Sequence, residues 1–251
     1  MTEEDLGLDL KPGDEHYRAY VGPPQDYDLI SAMTFNLLTT LGLRQHHKLL
    51  DIGCGSLRLG RLFIPYLNSG NYTGVEPNGW LIDGGIKNEI GNDLINLKKP
   101  NLLVGDSISD LDLEMKFDFA FAQSIYSHCG MDLIDKWLEE VGSHSHEGSA
   151  FLATFVRGEK DFEGNGWVYP GCVEFTDETM ILAGKRHGFN GKILNWWHPR
   201  QTWCLYYMDD FDVSWISEKP LCWNDFHTSG EENRTAISSC LKSLVAKMIG
   251  K

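Results

Sequence analysis

Between residues 27 and 41, apolar side chains fall on one helical face: Ile30, Met33, Leu37, Leu38 and Leu41. Gly42 stands where that helix is expected to stop. From residue 48 onward the pattern changes character. Short, nearly continuous apolar runs, the mark of strands buried on both faces, alternate with longer amphipathic stretches. The predicted strands cover residues 48–54 (KLLDIGC), 72–76 (YTGVE), 101–104, 117–122 (FDFAFA) and 150–156 (AFLATFV). Helices are predicted over 57–67, with Pro65 a kink or late interruption, from Trp80 onward, and over 132–141. A further helix should start after Thr176 as N-cap, carry Asp177 and Glu178 in its first turn, and stop near Gly188. Two last strands, 193–197 and 203–208, are close enough to pair as an antiparallel hairpin.

Strands alternating with helices imply an α/β fold: a doubly wound, mostly parallel seven-strand sheet with a terminal antiparallel hairpin and helices on both faces. The chain divides into an N-terminal segment (1–26), one domain (27–208) carrying a lid-like insertion at about 157–175, and a C-terminal extension (209–251). The extension begins irregularly, rich in Trp and Asp. It ends in a predicted amphipathic helix with Ile237, Leu241, Leu244, Val245 and Met248 on one face, suited to pack on the domain or on a second copy in a homo-oligomer.

Composition narrows the class of partner. A formal net charge of −14, with no evident Lys/Arg cluster, repels phosphate backbones and argues against nucleic acid. The six cysteines are scattered, without CxxC pairs or zinc spacing, so no metal site is expected. Residues 1–13 are acidic and lack the apolar core of a secretion signal, and no stretch approaches the roughly 20 apolar residues of a membrane span. A cytoplasmic protein with no membrane partner is expected.

The segment richest in chemistry is Leu49-Leu50-Asp51-Ile52-Gly53-Cys54-Gly55-Ser56-Leu57-Arg58. In open α/β sheets ligands sit beyond the carboxyl ends of the strands, and glycines there let the chain turn tightly against a ligand. A dinucleotide fingerprint needs GxGxxG, but Arg58 occupies the third glycine position and Gly60 comes two residues late. The Gly-Lys-Ser/Thr ending of a phosphate-binding loop is also missing. Asp51, two residues before the first glycine, would repel a pyrophosphate and suit an amino group. The expected ligand is an amino acid joined to a nucleoside.

LLDIGCGSLRLG resembles the first motif of class I S-adenosylmethionine-dependent methyltransferases, and the resemblance runs in order through about residues 48–208. It implies S-adenosyl-L-methionine as cofactor. Asp51, Gly53, Cys54 and Gly55 would line its methionyl part, and Glu76, ending the second strand, would accept hydrogen bonds from both ribose hydroxyls. Asp106 and Ser107, after the third strand, would reach the adenine. Gln123 and Ser124, ending the fourth, would pass the methionyl moiety and the reaction centre. The segment holding Tyr17 and Tyr20 would fold over the cofactor, with Tyr20 or Tyr17 shielding it.

The acceptor is less legible. The base-N-methylating pattern Asp/Asn/Ser-Pro-Pro-aromatic is replaced here by Gln123-Ser124-Ile125-Tyr126, and no Pro-Cys nucleophile of the C5-cytosine enzymes is present. Ser124-Ile125-Tyr126-Ser127-His128 instead resembles the Ser-x-Phe-x-His stretch of small-molecule methyltransferases. That makes His128 a candidate base, with bracing of its own loop as the plainer role, and Tyr126 a candidate substrate contact. In the insertion, Arg157, Trp167 and Tyr169 are candidate substrate contacts, Arg157 for an anionic group and the rings for closure over a substrate, with a plain surface loop pinned by Trp167 as the alternative. Trp196, Trp197, His198 and Trp203 are read as packing. The expected activity is methylation of an O or N atom of a small molecule, a sugar or natural-product intermediate. A protein or RNA methyltransferase and a non-catalytic S-adenosylmethionine-binding domain stand as alternatives.

Overall fold

The computed structural model describes residues 6–112 and 114–222. The terminal helix expected beyond residue 230 lies outside the described residues.

Eight strands form the sheet: β1 (Leu49–Ile52), β2 (Tyr72–Glu76), β3 (Asn101–Val104), β4 (Phe119–Ala122), β5 (Ala150–Arg157), β6 (Glu174–Phe175), β7 (Asn190–Leu194) and β8 (Thr202–Tyr207). The order is β3-β2-β1-β4-β5-β8-β7, with the two-residue β6 pairing the end of β5. β3 through β5 are parallel, and β8 runs antiparallel between β5 and β7. Strand order reverses between β1 and β4, which opens a crevice at their carboxyl ends. Because β8 is antiparallel, its first residue, Thr202, pairs with Phe155 near the end of β5. The β7–β8 link therefore reaches the same edge as the parallel strands' ends.

Alternation along the strands builds two apolar layers. Leu49, Phe119, Phe121, Leu152 and Trp203 belong to one layer, and Leu50, Ala120, Phe151, Phe155 and Tyr206 to the other. Helices α1 (Tyr27–Thr40), α2 (Gly60–Tyr66), α3 (Gly79–Gly85), α4 (Asn92–Lys98), α5 (Met131–Ser143) and α6 (Asp177–Arg186) complete the domain. Thr176 caps α6 as expected, its side-chain oxygen accepting from the Thr179 amide, a bond worth about 1 kcal/mol.

Several expectations need correction. α2 starts at Gly60, three residues later than expected, because Leu57 adopts a left-handed φ of 57° and the chain makes an extra turn first. The helical stretch after Trp80 is broken into α3, a π turn (Ile86–Ile90) and α4, with Gly91 between them. The hairpin strands sit three and one residues earlier than expected, so Trp196, Trp197 and His198 fall in the link between β7 and β8. β6 was not anticipated. The N-terminal residues form hydrogen-bonded turns over the domain, anchored where buried Arg18 pairs with Glu89 at 2.5 Å and lies over the Tyr27 ring at 4.5 Å. Among the described residues no helix is long and apolar enough to cross a membrane.

Candidate functional site

A cavity of about 550 Å³ occupies the crevice at the carboxyl edge of the sheet. One half is walled by the ends of β1, β2 and β3, through Ile52, Gly53, Gly55, Val75, Glu76, Asn78, Leu81 and Asp106. The other half is walled by the ends of β4 and β5, the insertion and the β7–β8 link, through Gln123, Ser124, His128, Trp167, Tyr169, Arg200 and Gln201. The N-terminal segment, Tyr20 to Pro23, closes over both.

The glycine loop is shaped by backbone need. Gly53 and Gly55 have φ of 67° and 52°, a region costly for side chains. A Cβ on Gly53 would fall 2.2 Å from Ile125 Cδ1, and one on Gly55 would fall 2.6 Å from Val21 Cγ1. The loop's amides are already committed. Gly53 and Cys54 both donate to the Val75 carbonyl, at 2.9 and 3.0 Å, and Gly55 donates to Glu76 Oε2 at 3.1 Å. Glu76 Oε1 accepts from the Asn78 amide and side chain at 2.9 and 2.8 Å. Burial raises the Glu76 pKa, and these bonds offset part of the rise. The carboxylate is therefore fixed at the β2 end, where the loop would otherwise offer an anion cradle.

Asp51 stands apart from the cavity. Period-two alternation sends its side chain to the Leu49 face, where it is 1% exposed and accepts from the Tyr72 hydroxyl at 2.6 Å. Burial lifts its pKa to about 7, against the lowering effects of that bond and of nearby Arg58. Cys54 is likewise turned into the core, beneath Gly74. Asp106 lines the cavity, with Lys136 donating to its carbonyl at 2.8 Å. Ser107 does not: its hydroxyl donates to Glu140 at 2.8 Å.

On the other half, a short 3-10 turn (Tyr126–His128) decides which side chains face the cavity. Ile125 and His128 line it, whereas Tyr126 is fully buried, edge-on to Phe151 with ring centroids 6.1 Å apart. This removes Tyr126 as a substrate contact. His128 Nδ1 lies 2.6 Å from the Gly171 carbonyl, which places the proton on Nδ1 and leaves Nε2 as the ring nitrogen open to a ligand. Burial lowers its pKa, so the ring is neutral at pH 7. The loop and insertion are pinned together: Val168 donates to the His128 carbonyl at 2.8 Å, and Gly130 to the Gly166 carbonyl at 2.9 Å. Trp167 and Tyr169 flank the imidazole, at 5.8 and 4.9 Å between centroids.

Tyr169 also donates its hydroxyl to the Tyr20 carbonyl, and the Tyr20 ring lies edge-on to Trp80 at 5.1 Å. Tyr20 thus roofs the cavity, while Tyr17 packs on Tyr27 and donates to Glu89. Arg157 is outside: its Nε donates to Asp177 at 2.7 Å on an exposed surface.

Sequence reasoning missed three residues of this half. Arg58 appears there only as a break in a dinucleotide pattern, yet it lines the cavity at 7% exposure, donating to the Val21 carbonyl at 2.9 Å and to Gln123 Oε1. Arg200 and Gln201 are brought in by the antiparallel strand, a consequence of topology that no local pattern carries. Among the described residues no group of His, Cys, Asp and Glu is arranged to hold a metal ion.

Neither known protein families nor curated proteins match the chain. Solved structures do. A S-adenosylmethionine-dependent methyltransferase from Clostridium acetobutylicum ATCC 824 is 16% identical, with a TM-score of 0.54 over 73% of this chain and 92% of that one. The sugar N-methyltransferase KedS8 from Streptoalloteichus sp ATCC 53650 is 15% identical, with a TM-score of 0.54 over 76% and 91%. Magnesium protoporphyrin IX methyltransferase (ChlM) from Synechocystis PCC 6803, solved with bound S-adenosylhomocysteine, is 11% identical, with a TM-score of 0.53 over 73% and 86%. The chain shares the Rossmann-like α/β fold of these enzymes.

Proposed function

We propose that this protein is a S-adenosylmethionine-dependent methyltransferase acting on an O or N atom of a small molecule. The observation that carries the reading is the state of the glycine loop. A dinucleotide site needs free amides for its pyrophosphate, and here Gly53, Cys54 and Gly55 already donate to Val75 and Glu76. What the loop presents instead is a fixed carboxylate at the β2 end, suited to accept from two ribose hydroxyls. Apolar walls from Ile52, Val75 and Leu81 stand beside it for a purine.

Glu76 and Asp106 would hold the nucleoside, Gly53 and Gly55 would give close approach to the amino-acid part, and Tyr20 would cover it. The cofactor supplies a methyl group on a sulfonium, already activated for displacement. The protein's remaining task is to align the acceptor and exclude water. A hydroxyl acceptor must also lose a proton, and His128 is built to accept it: Nδ1 is held by Gly171, Nε2 is open, and the ring is neutral at pH 7. The roof formed by Tyr20, Tyr169 and Trp167 favours a small acceptor over a polymer, and the net charge of −14 favours it over nucleic acid. The likeness to a sugar N-methyltransferase supports the same class. A cytoplasmic site of action fits these expectations.

Calorimetric titration with S-adenosylhomocysteine and, separately, with NAD tests the reading. Binding of the first at micromolar Kd, about −8 kcal/mol, with none of the second is expected. A folded protein that ignores S-adenosylhomocysteine overturns it.

A further inference from the structure

Where Arg58 reaches from the glycine loop toward Gln123 and the β7–β8 link, buried N–H donors lack acceptors. Arg58 is the clearest case. Its guanidinium is buried, no carboxylate among the described residues lies within ion-pair distance of it, and its Nε–H has no partner. Among the described residues its guanidinium donates to two neutral oxygens, Val21 O and Gln123 Oε1, which leaves most of its five N–H donors over.

The surplus continues through Gln123. The Gln123 side-chain nitrogen lies 3.3 Å from His198 Nε2. His198 Nδ1 accepts from the backbone amides of Arg200 and Gln201, at 3.1 and 2.8 Å, so the single proton of the neutral ring sits on Nε2. Burial and the charges of Arg200 and Arg58 push the His198 pKa down to about 3, which keeps that ring neutral. Two N–H groups thus face each other. Turning the Gln123 amide over only moves the conflict to Arg58, where a second N–H pair would meet. Arg200 adds another guanidinium to the wall, paired with Asp26 at its outer side. In a chain of net charge −14, two arginines converging on one cavity wall are a local exception.

A group that only accepts resolves this arrangement, and an oxyanion is the strongest such group. We propose that Arg58 and Arg200, with Gln123 beside them, form an oxyanion subsite for the methyl acceptor, so that the acceptor is a small molecule bearing a carboxylate or a phosphate. The inference rests on the methyltransferase reading, because that reading assigns the other half of the cavity to the cofactor.

The test titrates inorganic phosphate and, separately, acetate into the full chain at constant ionic strength, with and without saturating S-adenosylhomocysteine. Binding is read by calorimetry and by the unfolding midpoint. The expected result is saturable binding of one probe in the presence of S-adenosylhomocysteine, weakened at least tenfold in Arg200→Gln and lost in Arg58→Gln. The preferred probe tells a phosphate from a carboxylate acceptor. Arg200 is half exposed, so its variant reports even where Arg58→Gln fails to fold. Binding seen only without S-adenosylhomocysteine would assign the subsite to the cofactor's own carboxylate and overturn the proposal. So would binding unchanged in Arg200→Gln, an adventitious ion only, or the lack of any saturable binding. If S-adenosylhomocysteine itself does not bind, the methyltransferase reading fails first, and the titration without it still reports whether the oxyanion site exists.

Discussion

The two halves of the cavity are built on opposite principles. Where β1, β2 and β3 end, the donors are settled: the loop amides and the Asn78 donors are bonded to the Val75 carbonyl and the Glu76 carboxylate before any ligand arrives, and that carboxylate is held in place with accepting capacity left for one. Where β4, β5 and the β7–β8 link meet, partners are missing: Arg58 Nε is alone, His198 faces a donor, and His128 keeps one ring nitrogen open. The first half is acidic and the second basic. A satisfied wall suits a ligand that every turnover presents in the same form. An unsatisfied wall leaves its most favourable interactions to the molecule that completes it, and that is where specificity is gained.

The contrast can be broken one half at a time. His128→Asn removes the proton acceptor and should lower turnover on a hydroxyl acceptor by about 10²–10⁴-fold, while calorimetry finds S-adenosylhomocysteine affinity unchanged. A variant that keeps full turnover would reduce His128 to a brace for the insertion. Glu76→Ala acts on the other half. Losing charge-assisted bonds to two hydroxyls should weaken S-adenosylhomocysteine on the order of 10²-fold or more. Gly130→Ala would set a Cβ 2.4 Å from the Gly164 carbonyl and 2.6 Å from Asn165 Cα, both backbone. We expect about 1–3 kcal/mol of destabilisation from this overpacking, seen as a lower Tm. The insertion should be displaced and cofactor affinity nearly unchanged.

Acidity sharpens the comparison further. Asp51, held near 7 when folded and about 3.9 when unfolded, keeps a proton that the unfolded chain releases. Its contribution is fully present below pH 4 and is lost as pH rises toward 7. His198 has the opposite sign: its contribution is present above about 6.5, the unfolded value, and is lost as pH falls toward 3. Asp51→Asn keeps an oxygen for the Tyr72 hydroxyl and should gain stability relative to the parent between pH 4 and 7, measured by denaturant unfolding across that range. A parallel pH dependence in parent and variant would contradict the assignment. The smallest effect is expected from Tyr169→Phe, which loses one hydroxyl bond to the Tyr20 carbonyl, about 1 kcal/mol of stability by the same assay.

Much of the scaffold could be read directly from the chain. β2 and β3 fall where their apolar runs place them, and Thr176 caps its helix, because strand burial and capping are local properties. Glu76, Gly53, Gly55, Asp106 and Gln123 all reach the cavity, since strand ends are fixed once the strands are, and Tyr20 reaches it from the N-terminal segment. The errors share a cause: side-chain direction. Asp51 follows the pleat into the core, the turn at Gly53 sends Cys54 there as well, a 3-10 turn buries Tyr126 and leaves Ile125 and His128 to the cavity, and Ser107 and Arg157 bond to neighbours outside it. Arg58 and Arg200 were illegible for another reason. Their role comes from what they lack, an ion-pair partner for one and a place in a motif for the other, and both are visible only once distant segments meet.

The antiparallel setting of β8 has a consequence for how such a protein diversifies. A sheet of parallel strands offers the ligand edge only loops that lead into helices, whose lengths and angles are constrained by packing. Reversing one strand near the edge brings in a plain strand-to-strand link, residues 195–201, that no helix must follow. Its length and side chains are free to vary without disturbing β1, β2 or the glycine loop. On the proposed function, exchange of that link between proteins of this fold should therefore carry acceptor preference from one to another as a removable part, leaving the wall assigned to the cofactor unchanged.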